Sequence, residues 1–219
     1  MRKVSDDIMI TVESGIYGGV QAGGIDFGVG QNLSAMIGHH EQMDYYNGAG
    51  VDITFMGLGE LGEDGSVNST KMGTRCTGAG GFIDITQNAK KVVFLGTFTA
   101  RGAEYKFDNG KLNIVKEGKI RKMVKQVAQL SFNGPMARKK GQEVVIITER
   151  AVFELCEKGV LLTEIAPGID LQTQILDMME FKPFISPDLK LMDRKIVYTR
   201  WFIWTSIKRI RREVRQWKK

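Results

Sequence analysis

Short apolar runs alternate with turn-forming residues along most of the chain. IMITV (8–12), VDITFMGL (51–58), KVVFLGTFTA (91–100) and EVVIIT (143–148) are rich in β-branched and aromatic residues, and several are apolar at consecutive positions. Consecutive apolar positions suit strands covered on both faces, as in a parallel sheet. Between them, NLSAMIGHHEQM (32–43) and DLQTQILDMMEF (170–181) repeat at helical spacing, the second with Leu171, Ile175, Met178 and Met179 on one side. Two hairpins are legible: EYKFDNGKLNIV (104–115) alternates around Asp108-Asn109-Gly110, and AVFELCEKGVLLTEI (151–165) turns at Lys158-Gly159. The pattern predicts an α/β fold, a mostly parallel sheet with flanking helices and added antiparallel hairpins. No internal repeat or low-complexity segment interrupts it.

Charge divides the chain where hydropathy does not. The net charge is +6, yet the segment from Arg194 to Lys219 holds ten Lys or Arg against one Glu, leaving residues 1–193 slightly acidic. That balance argues against nucleic acid as a partner of the body. It also sets the expected boundary, a domain over 1–193 and a basic helical tail over 194–219. In that tail Ile203, Ile207, Ile210, Val214 and Trp217 form one apolar stripe. Packing against a subunit, lying on a membrane surface beside Trp201 and Trp204, and an extension without a role all remain open for it. Cys76 and Cys156 form no CxxC pair, no apolar stretch is long enough to span a membrane, and the N-terminus lacks an apolar signal core. A reducing cytoplasm is the expected compartment.

Several constellations carry little chemistry. GLGELG (57–62) matches a dinucleotide-binding pattern, but the polar EDGSVNST that follows has no helical period to receive a pyrophosphate. His39 and His40, near Glu41 and Asp44, are neighbours that a helix would point about 100° apart, which suits a solvated surface better than a metal. CTGAGGFIDIT (76–86) is more informative. Its Gly78, Gly80 and Gly81 either serve a tight turn or leave backbone N–H groups free to meet an oxyanion. Glu13, alone at the end of IMITV and followed by Gly15, Gly18 and Gly19, is either a turn residue or a carboxylate presented to a substrate.

These segments together, TVESGIYGGVQAGGIDFG, VDITFMGLGELGEDGSVNST, GAGGFIDITQNAKKVVFLGTFTA, ITERAVFEL and LTEIAPGIDLQTQIL, resemble the C-terminal half of the family I CoA-transferases. The similarity runs in order from Ile8 to Asp193 and is nearest the acetate/propionate, or short-chain acyl, branch, which is related to the 3-oxoacid CoA-transferases.

The resemblance implies a ping-pong transfer of CoA between an acyl-CoA and a carboxylic acid, with the family's catalytic glutamate falling on Glu13. Its carboxylate would attack the thioester and end as a glutamyl-CoA thioester. A carboxylate nucleophile must stay ionised, be free of competing hydrogen bonds and face a stabilised oxyanion. The resemblance places that oxyanion site at Gly80 and Gly81, with Gly78 beside them, and leaves room for the thiol arm of CoA at Gly15, Gly18 and Gly19. Coenzyme A would be a substrate, with no tightly bound cofactor and no metal. Glu149 and Arg150 read as structural, with proximity to CoA as the alternative, and Asp170 reads as a helix cap. An N-terminal CoA-transferase domain or subunit would complete the site, within an oligomer. The competing expectation is a non-catalytic or truncated subunit that only assembles with a partner.

Overall fold

The computed structural model describes residues 8–193, so the expected tail lies outside the described residues. In chain order, the elements that matter begin with strands β1 (Thr11–Val12), β2 (Ile16–Tyr17) and β3 (Ala35–Met36), then helix α1 (His39–Gly48). Next come β4 (Ile53–Gly57), β5 (Glu60–Gly62), β6 (Val67–Asn68), helix α2 (Phe82–Asn88) and β7 (Lys91–Leu95). The hairpin β8 (Glu104–Asp108) and β9 (Lys111–Lys116) precedes β10 (Met123–Val124), helix α3 (Gly134–Lys140) and β11 (Glu143–Ile147). The last elements are β12 (Ala151–Cys156), β13 (Gly159–Ile165), α4 (Leu171–Gln174) and β14 (Phe184–Leu191).

Six strands form the main sheet in the order β14-β13-β12-β11-β7-β4. The pairs β4/β7, β7/β11 and β13/β14 are parallel, and β11/β12 and β12/β13 are antiparallel. The α/β expectation with a mostly parallel sheet and antiparallel additions is met. Central strand β7 explains its own sequence: Val92 and Phe94 are fully buried, and each such side chain contributes about 1.5–3 kcal/mol. Phe94 stacks on Phe82 of α2 at 5.9 Å and meets Phe132 edge-on at 5.1 Å, which fixes α2 against the sheet. α2 feeds directly into β7, so its N-terminus lies towards the end where β4, β7 and β11 finish. That is the end at which parallel α/β sheets receive ligands.

Local signals are partly met. Asn109 and Gly110 both take positive φ (50° and 72°), the conformation a two-residue hairpin between β8 and β9 needs. The second hairpin turns one residue earlier than expected, through Glu157-Lys158, because Gly159 already pairs with Cys156 as the first residue of β13. GLGELG runs from β4 into β5, with no helix opening at its third glycine.

Four expectations need correction. The helix expected over 32–43 starts at His39, because Ala35–Met36 pairs with β2 and Gly38 caps the helix, its N–H donating to Glu41 Oε2 at 2.7 Å. The helix expected over 170–181 is broken into α4, Leu171–Gln174, capped as expected by Asp170, which accepts from Thr173 N at 2.7 Å, and a single 3-10 turn at Leu176–Met178. Ile175 then leaves helical geometry and drops into the core with Met179. VDITFMGL is not covered on both faces: β4 is an edge strand, and Ile53 and Phe55 are exposed. Of IMITV only Thr11–Val12 pairs as a strand, and Ile8, Met9 and Ile10 are exposed.

Candidate functional site

Glu13 is the first residue of the turn between β1 and β2. Gly15 N donates to Val12 O at 2.9 Å to close that turn. Gly15 sits at φ 98°, and a methyl group there would run into the Ile37 carbonyl, so only glycine fits. The turn thus sets where the Glu13 side chain leaves the backbone. Fully buried Ile16 anchors the following strand, and Tyr17 packs edge-on against Tyr45 of α1 at 6.0 Å.

The structure brings Glu13 and Gly81 together. A methyl group on Gly81 would lie 2.6 Å from Glu13 Oε2 and 3.2 Å from both Met43 Cε and Ile85 Cδ1. Gly81 is the residue immediately before α2, with ordinary backbone angles (φ −81°, ψ 2°). Its lack of a side chain therefore answers to space, not to backbone conformation. Gly78 and Gly80 take positive φ (81° and 53°) beside it, with open space where a side chain would stand. Gly18 and Gly19 are placed differently. They turn the chain between β2 and the short pairing of Val20–Gln21 with Gly30–Gln31, packing against Ser34 and the Gln31–Asn32 backbone.

The wall behind Glu13 comes from α1. Asn47 of α1 donates to Asp84 of α2 at 2.9 Å and accepts from Asn88 at 3.1 Å, holding the two helices side by side. Tyr46 is buried, and its hydroxyl pairs with Thr11 Oγ1 at 2.8 Å. Burial pushes the pKa of that hydroxyl above its ordinary value. The Thr11 bond pulls it back, Tyr17 and the charge of Glu13 add to the rise, and the Gln42 amide lowers it. Gln42 is completely buried one turn before Tyr46, its amide beside that hydroxyl. Ser14 Oγ, next to Glu13, is buried and unpaired. Among the described residues the Glu13 carboxylate makes no hydrogen bond or ion pair.

Glu149 and Arg150 are structural, as the sequence reading preferred. Arg150 is fully buried and holds Glu117 through two hydrogen bonds at 2.6 and 3.0 Å. It also reaches Glu149 at 2.8 Å and Gln174 O at 3.0 Å, with its guanidinium 4.8 Å from the Phe98 ring centre. Burial opposes its charge, but the two carboxylates outweigh burial and raise its pKa. Lys122, by contrast, is buried beside Gly96 and Leu58 with no salt-bridge partner among the described residues. Burial lowers its pKa, opposed by Glu149. Nothing in the sequence pattern marked Lys122, Gln42 or Tyr46. The one available signal was that Gln42 and Tyr46 lie four residues apart, on one face of a helix.

His39 and His40 are exposed at the start of α1, and among the described residues no cluster of three His, Cys, Asp or Glu stands ready for a metal. Cys76 and Cys156 are free. Among the described residues no helix is long and apolar enough to cross a membrane.

Comparison with known proteins agrees with the resemblance read from the motifs. No family model matches the chain. The chain is 44% identical over 192 residues to the acetate CoA-transferase YdiF of Escherichia coli (strain K12), covering 88% of this chain and 36% of that protein. It is 44% identical over 201 residues to the caffeate CoA-transferase of Acetobacterium woodii, covering 90% of this chain and 38% of that one. The crystal structure of the acyl-CoA transferase YdiF from E. coli O157:H7, as a thioester complex with CoA, superposes with a TM-score of 0.83 at 42% identity, over 89% of this chain and 36% of that one. Glutaconate coenzyme A-transferase from Acidaminococcus fermentans shares the fold, with a TM-score of 0.59 at 15% identity over 85% of this chain and 75% of that one. The chain is therefore related in sequence and fold to the family I CoA-transferases, and it spans a little over a third of the length of the curated relatives it matches.

Proposed function

We propose that this chain is the catalytic half of an acyl-CoA:carboxylate CoA-transferase, with Glu13 as its nucleophile. The observation that carries the reading is the Glu13 carboxylate lying against Gly81, at the end of the sheet where ligands bind. An oxygen of Glu13 attacks the thioester carbonyl, and the C–S bond breaks to release the CoA thiolate and leave an acyl-glutamyl anhydride. The thiolate then attacks the glutamyl carbonyl, giving the glutamyl-CoA thioester and freeing the first carboxylic acid. A second carboxylate runs the two steps in reverse.

The backbone N–H groups of Gly80 and Gly81 donate to the oxyanion in each addition. Gly78 leaves the approach to them open, and Gly15 fixes the turn that presents the nucleophile. Gly18 and Gly19 shape the adjoining loop. Coenzyme A enters as substrate, and short-chain acids such as acetate or propionate are the acceptor class.

A second half covers the site. Ile8, Met9, Ile10, Val20, Ile25, Phe27, Val29 and Met36 are all exposed along the segment that carries Glu13, an unusual concentration of exposed apolar side chains. An N-terminal CoA-transferase domain or subunit is the partner of matching chemistry, within a soluble cytoplasmic oligomer. The test incubates the chain with acetyl-CoA, with and without such a half, and looks for a CoA-sized mass adduct. The adduct is expected with the half present and absent from Glu13→Gln. No adduct under either condition refutes the enzyme reading and leaves a subunit that only assembles. An adduct that persists in Glu13→Gln refutes the site.

A further inference from the structure

The pole of the main sheet opposite Glu13 carries an open cleft of about 1070 Å³ that no step of the proposed transfer uses. Strand register places it there. β12 runs against β11, pairing Glu154 with Val145 and Val152 with Ile147, so the β12–β13 turn that holds Lys158 stands where β11 begins. β14 is parallel to β13 and pairs Phe184 with Leu161, which brings Phe184 to the same pole. Glu13 and Gly81 lie where the parallel strands end. The length of β11, five residues at about 3.3 Å each, or roughly 17 Å, separates the two regions.

The charges around the cleft are unbalanced. Lys125 just after β10, Lys158 in the turn and Lys182 just before β14 all line it, and all three are exposed. Among the described residues none of these lysines forms an ion pair. Two carboxylates, Glu63 and Asp64, face them, and Asp64 is occupied by Ser66, accepting from its N–H and its hydroxyl at 2.9 Å each. Like charges gathered at one cleft repel one another, and an entering anion relieves that repulsion. The same cleft is lined by Phe181 and Pro183, which are buried, and by Phe184, which is 46% exposed. An aromatic ring left half open beside buried apolar side chains suits a flat group laid over it.

We propose that this cleft binds a nucleoside phosphate, at a site separate from Glu13. Lys125, Lys158 and Lys182 hold the phosphates as point charges, and the base lies on the Phe184 ring. Charge and size select this class together. A simple carboxylate would bring one negative charge to three ammonium groups. An inorganic ion would satisfy the lysines but leave the ring and most of the volume unused, whereas clefts of this size take an organic molecule. No bond is made or broken here: the ligand is held, not transformed.

The probe is ADP, titrated into the full chain and followed by calorimetry. This measurement needs neither a partner half nor transfer activity, so it stands whatever becomes of the proposed function. ADP is expected to bind, and to bind more weakly as salt is raised. Lys125→Gln, Lys158→Gln and Lys182→Gln should each weaken it up to about fivefold, and Phe184→Ala about tenfold. All four side chains are exposed, so their melting temperatures without ADP should match the unsubstituted chain. Inorganic phosphate and adenosine should each bind more weakly than ADP. With the N-terminal half present, the KM for acetyl-CoA in glutamyl-CoA formation should be unchanged in the four variants. No heat from ADP at millimolar concentration overturns the proposal, as does binding that the lysine variants leave intact. Phosphate binding as tightly as ADP overturns the ligand class. A KM that rises in step with the loss of ADP affinity overturns the separate site, because the cleft would then hold part of CoA itself.

Discussion

Replacing Gly81 with alanine separates space for chemistry from space for folding. The new methyl would stand 2.6 Å from Glu13 Oε2, about 0.7 Å inside an ordinary carbon–oxygen contact of roughly 3.3 Å. The backbone at Gly81 (φ −81°) accepts alanine without strain, and the clashing atom is the end of a flexible side chain. The carboxylate therefore swings aside at little energetic cost. Alanine also reduces the freedom of the unfolded chain, a gain of about 0.4–1 kcal/mol. The net stability change is expected within about 0.5 kcal/mol of zero in urea denaturation. Chemistry responds differently, because a displacement approaching 1 Å at a nucleophile costs on the order of 100-fold. Glutamyl-CoA formation, followed by mass with the N-terminal half present, should fall by about that factor. Gly80→Ala is the control: its φ of 53° strains any side chain, by about 1–2 kcal/mol, while the added methyl meets nothing within 4 Å. It should lose stability and retain more activity than Gly81→Ala. A Gly81→Ala chain that reacts at the wild-type rate would refute the placement of Glu13 against Gly81 as the working geometry.

Two further predictions concern the body. Arg150→Met strands Glu117 and Glu149 and removes the link to Gln174, and it should cost about 3 kcal/mol, or roughly 6–12 °C in Tm. A loss under about 1 kcal/mol in urea denaturation would show that the network is not structural. Lys122 has its folded-state pKa lowered by burial, so the unfolded chain holds that proton more tightly. The wild-type protein is accordingly penalised below the folded pKa and regains stability as pH rises towards the ordinary lysine value of 10.5. Lys122→Met should be more stable than wild type at pH 7, with the advantage shrinking as pH approaches 10.5; a constant difference across that range contradicts it.

Sequence signals that act over a few residues were legible, and signals that depend on what lies across the fold were not. Asn109-Gly110 needs only its own backbone to make a turn, and Asp170 needs only Thr173 N to cap a helix. Both were readable. Residues 32–43 carry helical spacing, but pairing of Ala35–Met36 with β2 takes the first half away, a contact set by a strand far back in the chain. Apolar runs announce strands without saying which faces are covered, so Ile53 and Phe55 looked interior and stand at an exposed edge. Glu13 and Gly81 could be joined from sequence only through the family resemblance, because their adjacency spans almost seventy residues. Lys122 left no trace at all, since a buried polar residue has the same letter as a solvated one.

The uneven distribution of burial links these outcomes to function. From Ile8 to Met36 only Gly15 and Ile16 are buried, whereas β7 and β11 are built around residues with almost no exposure. The segment that carries Glu13 is held to the body by a short set of ties: Ile16, the Thr11–Tyr46 hydrogen bond and the Tyr17–Tyr45 contact. Segments with so few buried contacts open at low free energy. The rigid side of the site is then Gly81 on α2, fixed through Phe82 and Phe94, and the adjustable side is Glu13. A covering half that buries the apolar residues of 8–36 would stiffen the adjustable side against the rigid one. Catalytic alignment would thereby depend on assembly, with the fold of the body already complete before it.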